Sequence, residues 1–76
     1  MKIAVFGAGA MGSLYAARFA MAGHSVVAVD PWEAHVSAIN ASGLRMRGPD
    51  GDHYIKGIQA SVSPDLAETA ELVVIA

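Results

Sequence analysis

Lys2-Ile3-Ala4-Val5-Phe6-Gly7-Ala8-Gly9-Ala10-Met11-Gly12 decides how the rest of the chain is read. After Lys2 the run to Phe6 is continuously apolar, the pattern of a strand buried on both faces of a parallel sheet. Three glycines follow at G-x-G-x-x-G spacing, and an alanine-rich helical stretch begins before that motif is complete. Each glycine meets a separate requirement. Gly7 allows a tight turn off the strand, Gly9 lets the backbone approach a pyrophosphate, and Gly12 lets the helix lie close to the strand. The unpaired N–H groups and positive dipole end at the helix start then face the anion.

The flanking sequence supports this reading. Residues 10–22 predict a helix whose apolar positions, Met11, Leu14, Tyr15, Phe19 and Ala22, fall near the spacing of one face, while Ala16, Ala17 and Ala20 keep it slim enough to lie near a sheet. Gly23 ends it. Ser25-Val26-Val27-Ala28-Val29 is a second strand and closes on Asp30, about 20 residues beyond the first glycine, where a carboxylate at a strand tip can accept hydrogen bonds from the adenosine ribose. The candidate cofactor-binding residues are therefore Gly7, Ala8, Gly9, Ala10, Met11, Gly12 and Asp30, and the constellation points to a nicotinamide or flavin dinucleotide.

Asp30-Pro31 predicts the start of a second helix, with proline at the first helical position, Val36, Ile39 and Trp32 on its buried stripe, an end near Ala41 and Gly43 just beyond. At that position Asp30 also reads as an N-cap, a role that can coexist with ribose binding. Trp32 reads as packing at the helix start in preference to a partner for adenine. Leu44-Arg45-Met46-Arg47 and Asp52-His53-Tyr54-Ile55-Lys56 flank the turn Gly48-Pro49-Asp50-Gly51, which predicts a β-hairpin. Arg45 and Arg47 share one face of it. They read as the charged protection of an exposed strand, with contact to a cofactor phosphate the other possibility. His24, His35 and His53 are scattered without a partner at ligand spacing, so they carry no metal or catalytic assignment. Ile58 to Val62 predicts a strand, Ser63-Pro64-Asp65 caps a short helix to about Thr69, and Glu71 to Ala76 predicts a final strand. The fold class is α/β, a doubly wound parallel (Rossmann) sheet with a β-hairpin insertion.

Composition narrows the setting. Hydrophobic residues make up 54% and charged residues only 16% of the 76, which suits a buried sheet. A parallel sheet that ends on a strand predicts that residues 1–76 are the N-terminal part of a longer protein. The net charge of −2 gives no reason to expect nucleic acid or an anionic membrane as partner. There is no cysteine, no secretory signal pattern and no apolar stretch near the roughly 20 residues that span a bilayer, so a cytoplasmic location is expected.

With these motifs in place, the chain resembles the N-terminal domain of the ketopantoate reductase (2-dehydropantoate 2-reductase) family over essentially its whole length. The likeness rests on Met1-Lys2-Ile3 leading into Gly7 to Gly12, on Ala22-Gly23-His24, and most specifically on the hairpin Gly43-Leu44-Arg45-Met46-Arg47-Gly48-Pro49-Asp50-Gly51. The resemblance implies an NAD(P)-dependent oxidoreductase that reduces ketopantoate, or a related 2-oxo acid, to the 2-hydroxy acid in pantothenate and coenzyme A biosynthesis. It places the catalytic residues and a possible homodimer contact in a helical C-terminal domain, so this segment alone is expected to be inactive and no catalytic residue is assigned. The family usually takes NADP and often carries a basic residue after the second strand. Asp30-Pro31-Trp32 departs from that, and a carboxylate there favours the free ribose hydroxyls of NAD over a 2′-phosphate. Two other groups share part of the pattern: the 3-hydroxyisobutyrate and 6-phosphogluconate dehydrogenases, and the nucleotide-sensing domains of potassium transport systems, which catalyse nothing.

Overall fold

In the computed structural model of the chain, residues 1–76 are described throughout, with the backbone alone at Ala10, Arg47 and Gly48. Strand β1 (Lys2–Phe6) is followed by helix α1 (Ala10–Met21), β2 (Ser25–Val29), α2 (Glu33–Ser42), the hairpin strands β3 (Leu44–Gly48) and β4 (Gly51–Ile55), β5 (Ile58–Ser61), a 3₁₀ turn (Pro64–Ala67) and β6 (Leu72–Ile75). Four of the strands form one parallel sheet in the order β5-β2-β1-β6, and β3 and β4 pair separately as an antiparallel hairpin. The expected doubly wound α/β sheet and its hairpin insertion are both present.

The sheet's two faces are filled differently because strand residues alternate between them. On one face Ile3, Val5, Val26, Ala28, Ile58 and Ala60 pack with Ala16 and Ala17 of α1, Val36 and Ile39 of α2, and Leu44 of the hairpin. On the other, Ala4, Val27 and Val29 meet Phe6, Ala67 and Ala70. Ile3, Val5, Val26 and Val27 are the largest fully enclosed side chains, so the two central strands supply the core.

Helix α1 presents its small-residue face to the sheet. Gly12, Ala16 and Ala17 are buried, whereas Met11 is 56% exposed, Tyr15 40% and Ala22 is exposed too. The stripe of large apolar positions is thus not the packing face. A close helix-to-strand approach leaves room only for hydrogen and methyl side chains, and Phe19 and Ala20 pack partly buried at the margin of this core.

Helix α2 starts at Glu33, two residues later than the proline signal predicts, and Trp32 is extended at ψ 99°. The Asp30 carboxylate takes the Trp32 N–H and closes a local turn that holds Pro31 and Trp32 out of the helix. Asp30 is therefore not the N-cap, and Trp32, 67% exposed, is not on the buried stripe. Val36 and Ile39 are. Gly43 ends the helix at φ +95°, and a Cβ there would lie 2.8 Å from the Ile55 carbonyl oxygen, so the hairpin's return strand closes directly over it. In the hairpin, Gly48 pairs with Gly51 around Pro49-Asp50 as the turn residues predict. The expected helix to Thr69 is shorter, a 3₁₀ turn in which the Ser63 side chain accepts the Asp65 N–H at 3.3 Å.

Candidate functional site

Strand register brings the candidate residues together. Phe6 lies opposite Val29 of β2 and Ile75 of β6, so the residues that follow, Gly7, Asp30 and Ala76, emerge side by side at the carboxyl edge of the sheet. The chain leaves β1 toward β2 on one side and returns to pair with β1 from the other through β6. This reversal of strand order creates the crevice in which open α/β sheets bind ligands.

Gly7 turns off the strand at φ +93°, a conformation L side chains rarely adopt, and its N–H donates to the Val29 carbonyl at 2.8 Å. A Cβ on Gly12 would fall 1.6 Å from the Gly7 carbonyl oxygen, so only glycine permits this contact between helix and turn. Gly9 differs from both. Its φ of −72° suits any residue, a Cβ there would meet nothing within 4 Å, and among the described residues its N–H has no acceptor. The requirement for glycine at this position does not come from the protein's own packing. Gly9 is also the N-cap of α1, which has no side-chain cap and no acidic residue in its first turn, so the positive end of the helix is open. Ala10 opens the helix and Met11 projects from its first turn.

Asp30 joins the two halves of the motif. Its Oδ2 accepts the Ala8 N–H at 2.9 Å and its Oδ1 accepts the Trp32 N–H at 2.9 Å. These two donors, Ala8 foremost, hold the carboxyl below the ordinary carboxylate range, with a smaller contribution from nearby His35. Asp30 is therefore ionised at neutral pH, and each oxygen retains lone pairs for a further donor.

His35 joins the site, which its sequence position did not suggest. Its Nε2 lies 2.8 Å from the Ala8 carbonyl oxygen, which also accepts the Ser13 hydroxyl at 2.9 Å. Its ring stacks on Trp32 with centroids 5.7 Å apart and planes 22° apart. No local pattern marks this role, because the partner lies 27 positions earlier.

A groove of about 660 Å³ opens beside this cluster, lined by Ala8, Gly9, Asp30, Trp32, His35 and Arg45 among others. Arg45 is paired with Asp52 across the hairpin at 2.7 Å, with the Arg45 side chain half-exposed. The Arg47 side chain lies outside the described residues. Among those described, no three His, Cys, Asp or Glu side chains are grouped to hold a metal ion, and no helix is long and apolar enough to cross a membrane.

A glycine turn opening a helix at the switch point of a parallel sheet, with an acid at the tip of the neighbouring strand, defines the dinucleotide-binding class of α/β domain. Within that class the family model described as ketopantoate reductase PanE/ApbA matches residues 3–76, and the chain belongs to this family. It is 37% identical over all 76 residues to a 2-dehydropantoate 2-reductase of Mesorhizobium japonicum and 50% identical over 50 residues to one of Pyrococcus abyssi. Among solved structures it superposes with a TM-score of 0.87 and 39% identity on a PanE/ApbA family ketopantoate reductase from Ralstonia eutropha, over 99% of this chain. A D-mandelate dehydrogenase bound to NADH and anilino(oxo)acetate also superposes with a TM-score of 0.87, at 28% identity over the whole of this chain. The chain spans 23% of the length of the Mesorhizobium relative and 24% of each of these two structures.

Proposed function

We propose that residues 1–76 are the N-terminal part of the dinucleotide-binding domain of a cytoplasmic, NAD(P)-dependent reductase that converts ketopantoate, or a related 2-oxo acid, to the 2-hydroxy acid. Substrate-handling residues and any dimer contact would lie in a further helical domain. The observation that carries this reading is the bond from the Ala8 N–H to the Asp30 carboxylate, which sets a strand-tip acid beside a glycine turn. In this reading the backbone at Gly9 and the open end of α1 receive the pyrophosphate, and Gly7 and Gly12 fix the turn that presents them. Asp30 accepts hydrogen bonds from the adenosine ribose. The bound nicotinamide supplies hydride to the substrate carbonyl.

Asp30 also bears on the choice of cofactor. Its ionised carboxylate repels a ribose 2′-phosphate, and Arg45 on the hairpin wall is paired with Asp52. Both features favour NADH over NADPH. The likeness to a D-mandelate dehydrogenase bound to NADH supports a second substrate reading, a 2-oxo acid other than ketopantoate.

Initial rates of NADH and NADPH oxidation by the full-length protein, with and without ketopantoate, test the reading. Ketopantoate-dependent oxidation, faster with NADH, is the expected result. Turnover only with another 2-oxo acid would move the assignment to the second reading. Dinucleotide binding without turnover of any 2-oxo acid would favour a sensing role, and absence of binding would end the proposal.

A further inference from the structure

The Ala8 carbonyl oxygen receives two donors from two different helices, Ser13 of α1 and His35 of α2. A carbonyl can only accept, so this contact places the imidazole proton on Nε2. The Ala8–Gly9 peptide is planar and trans, so its C=O and N–H point in opposite directions. Holding the Ala8 oxygen toward the two helices therefore turns the Gly9 N–H away from them, and among the described residues that N–H has no acceptor. The preceding peptide is held as well, because the Ala8 N–H is bound to Asp30. Ala8 is thus fixed on both sides, and of its side-chain partners among the described residues, Asp30, Ser13 and His35, it is His35 that α2 contributes. Stacking on the exposed Trp32 limits rotation of the His35 ring.

We infer that His35 is a positioning residue for the dinucleotide: it acts through the Ala8 carbonyl to pre-orient the Gly9 N–H toward the pyrophosphate. The inference rests on the functional reading above. A turn already held in the bound geometry spares the ligand the cost of ordering it, so loss of the donor should appear as weaker binding.

The test measures dinucleotide affinity by calorimetry on full-length protein carrying His35→Phe, His35→Met or His35→Gln, with thermal unfolding in parallel. Phe keeps a ring on Trp32 and Met keeps the bulk, but neither can donate, whereas the Gln amide carries a donor to about the Nε2 position. Removing one hydrogen bond of ordinary worth predicts roughly fivefold weaker NADH binding for Phe and Met. Gln should stay within about twofold of wild type by the same reasoning. A purely structural role would lower the melting temperature of all three variants without this donor-dependent ranking. Wild-type affinity in Phe and Met, or a loss in Gln equal to theirs, would overturn the inference and leave the proposed function standing. A wild-type protein that binds no dinucleotide would overturn both. Should Phe fail to fold, the Met and Gln pair makes the same comparison.

Discussion

The Oδ2 of Asp30 accepts the Ala8 N–H at 2.9 Å, so the residue that closes β2 and the turn that follows β1 form one hydrogen-bonded unit although they are 22 positions apart. Under the proposed function, position 30 would therefore act on a dinucleotide in two ways: by its own charge and by fixing the backbone of the turn.

Asp30→Ala removes both. It leaves the N–H groups of Ala8 and Trp32 without their acceptor and takes away the charge that disfavours a 2′-phosphate. Loss of a charged hydrogen-bond acceptor predicts NADH binding weaker by about tenfold, with a much smaller change for NADPH. Calorimetry with both cofactors measures the ratio. If the ratio is unchanged, Asp30 acts on the turn alone.

Gly9 and Gly12 should separate binding from folding. Gly12→Ala places a Cβ 1.6 Å from the Gly7 oxygen, so α1 must shift, and overpacking of this kind predicts a loss of about 3 kcal/mol. A Cβ at position 9 meets nothing within 4 Å and needs no unusual backbone, so Gly9→Val should change stability by no more than about 0.5 kcal/mol while dinucleotide binding is lost. Denaturant unfolding and calorimetry on the two variants check the contrast. A Gly9→Val protein that still binds NADH tightly would mean that the pyrophosphate lies elsewhere.

Stability should depend on pH through Asp30. Its carboxyl ionises at lower pH in the folded chain than in the unfolded one, chiefly because the Ala8 and Trp32 N–H groups stabilise the anion. Its contribution is complete above the unfolded carboxyl value of about 4 and is lost as pH falls through the lower folded value. The melting-temperature advantage of wild type over Asp30→Asn should hold between about pH 7 and pH 5 and shrink below about pH 4. Scanning calorimetry across this range is the check, and an advantage that persists unchanged into strong acid would exclude the linkage.

Asn40 closes the outer edge of the sheet. Its side-chain amide donates to the Ala60 carbonyl and accepts the Ala60 N–H, both at 2.9 Å, as a neighbouring strand would. Asn40→Ala exposes that edge and should cost about 1–2 kcal/mol in urea unfolding. Asn40→Asp keeps the acceptor but loses the donor, so it should fall between Ala and wild type. A neutral Asn40→Ala would mean that water replaces both bonds without loss.

Much of the molecule was legible from residue order because its determinants are local. The apolar run before Gly7, the glycine spacing, the acid after Val29 and the Pro49-Asp50 turn each act within a few residues, and each occurs where it was expected. The roles of Gly7 and Gly12 followed from the steric demands of a strand-turn-helix junction. The face of α1 was less legible. Large apolar side chains mark one side of that helix and small ones another, and hydrophobic periodicity weights the large ones.

Sequence alone determined the order of elements, the glycine turn and the placement of an acid at the second strand's tip, since short-range stereochemistry and alternation of apolar residues suffice for these. Tertiary structure decided which face of α1 meets the sheet, where α2 begins, and that His35 and Ser13 converge on the Ala8 carbonyl. The physical reason is distance. The face of α1 is set by the core that Ala16 and Ala17 share with Val26 and Ala28 of β2, the start of α2 by a carboxylate also held by Ala8, 22 positions earlier, and the role of His35 by an acceptor 27 positions away. None of these partners is specified until the parallel sheet brings β1 and β2 side by side.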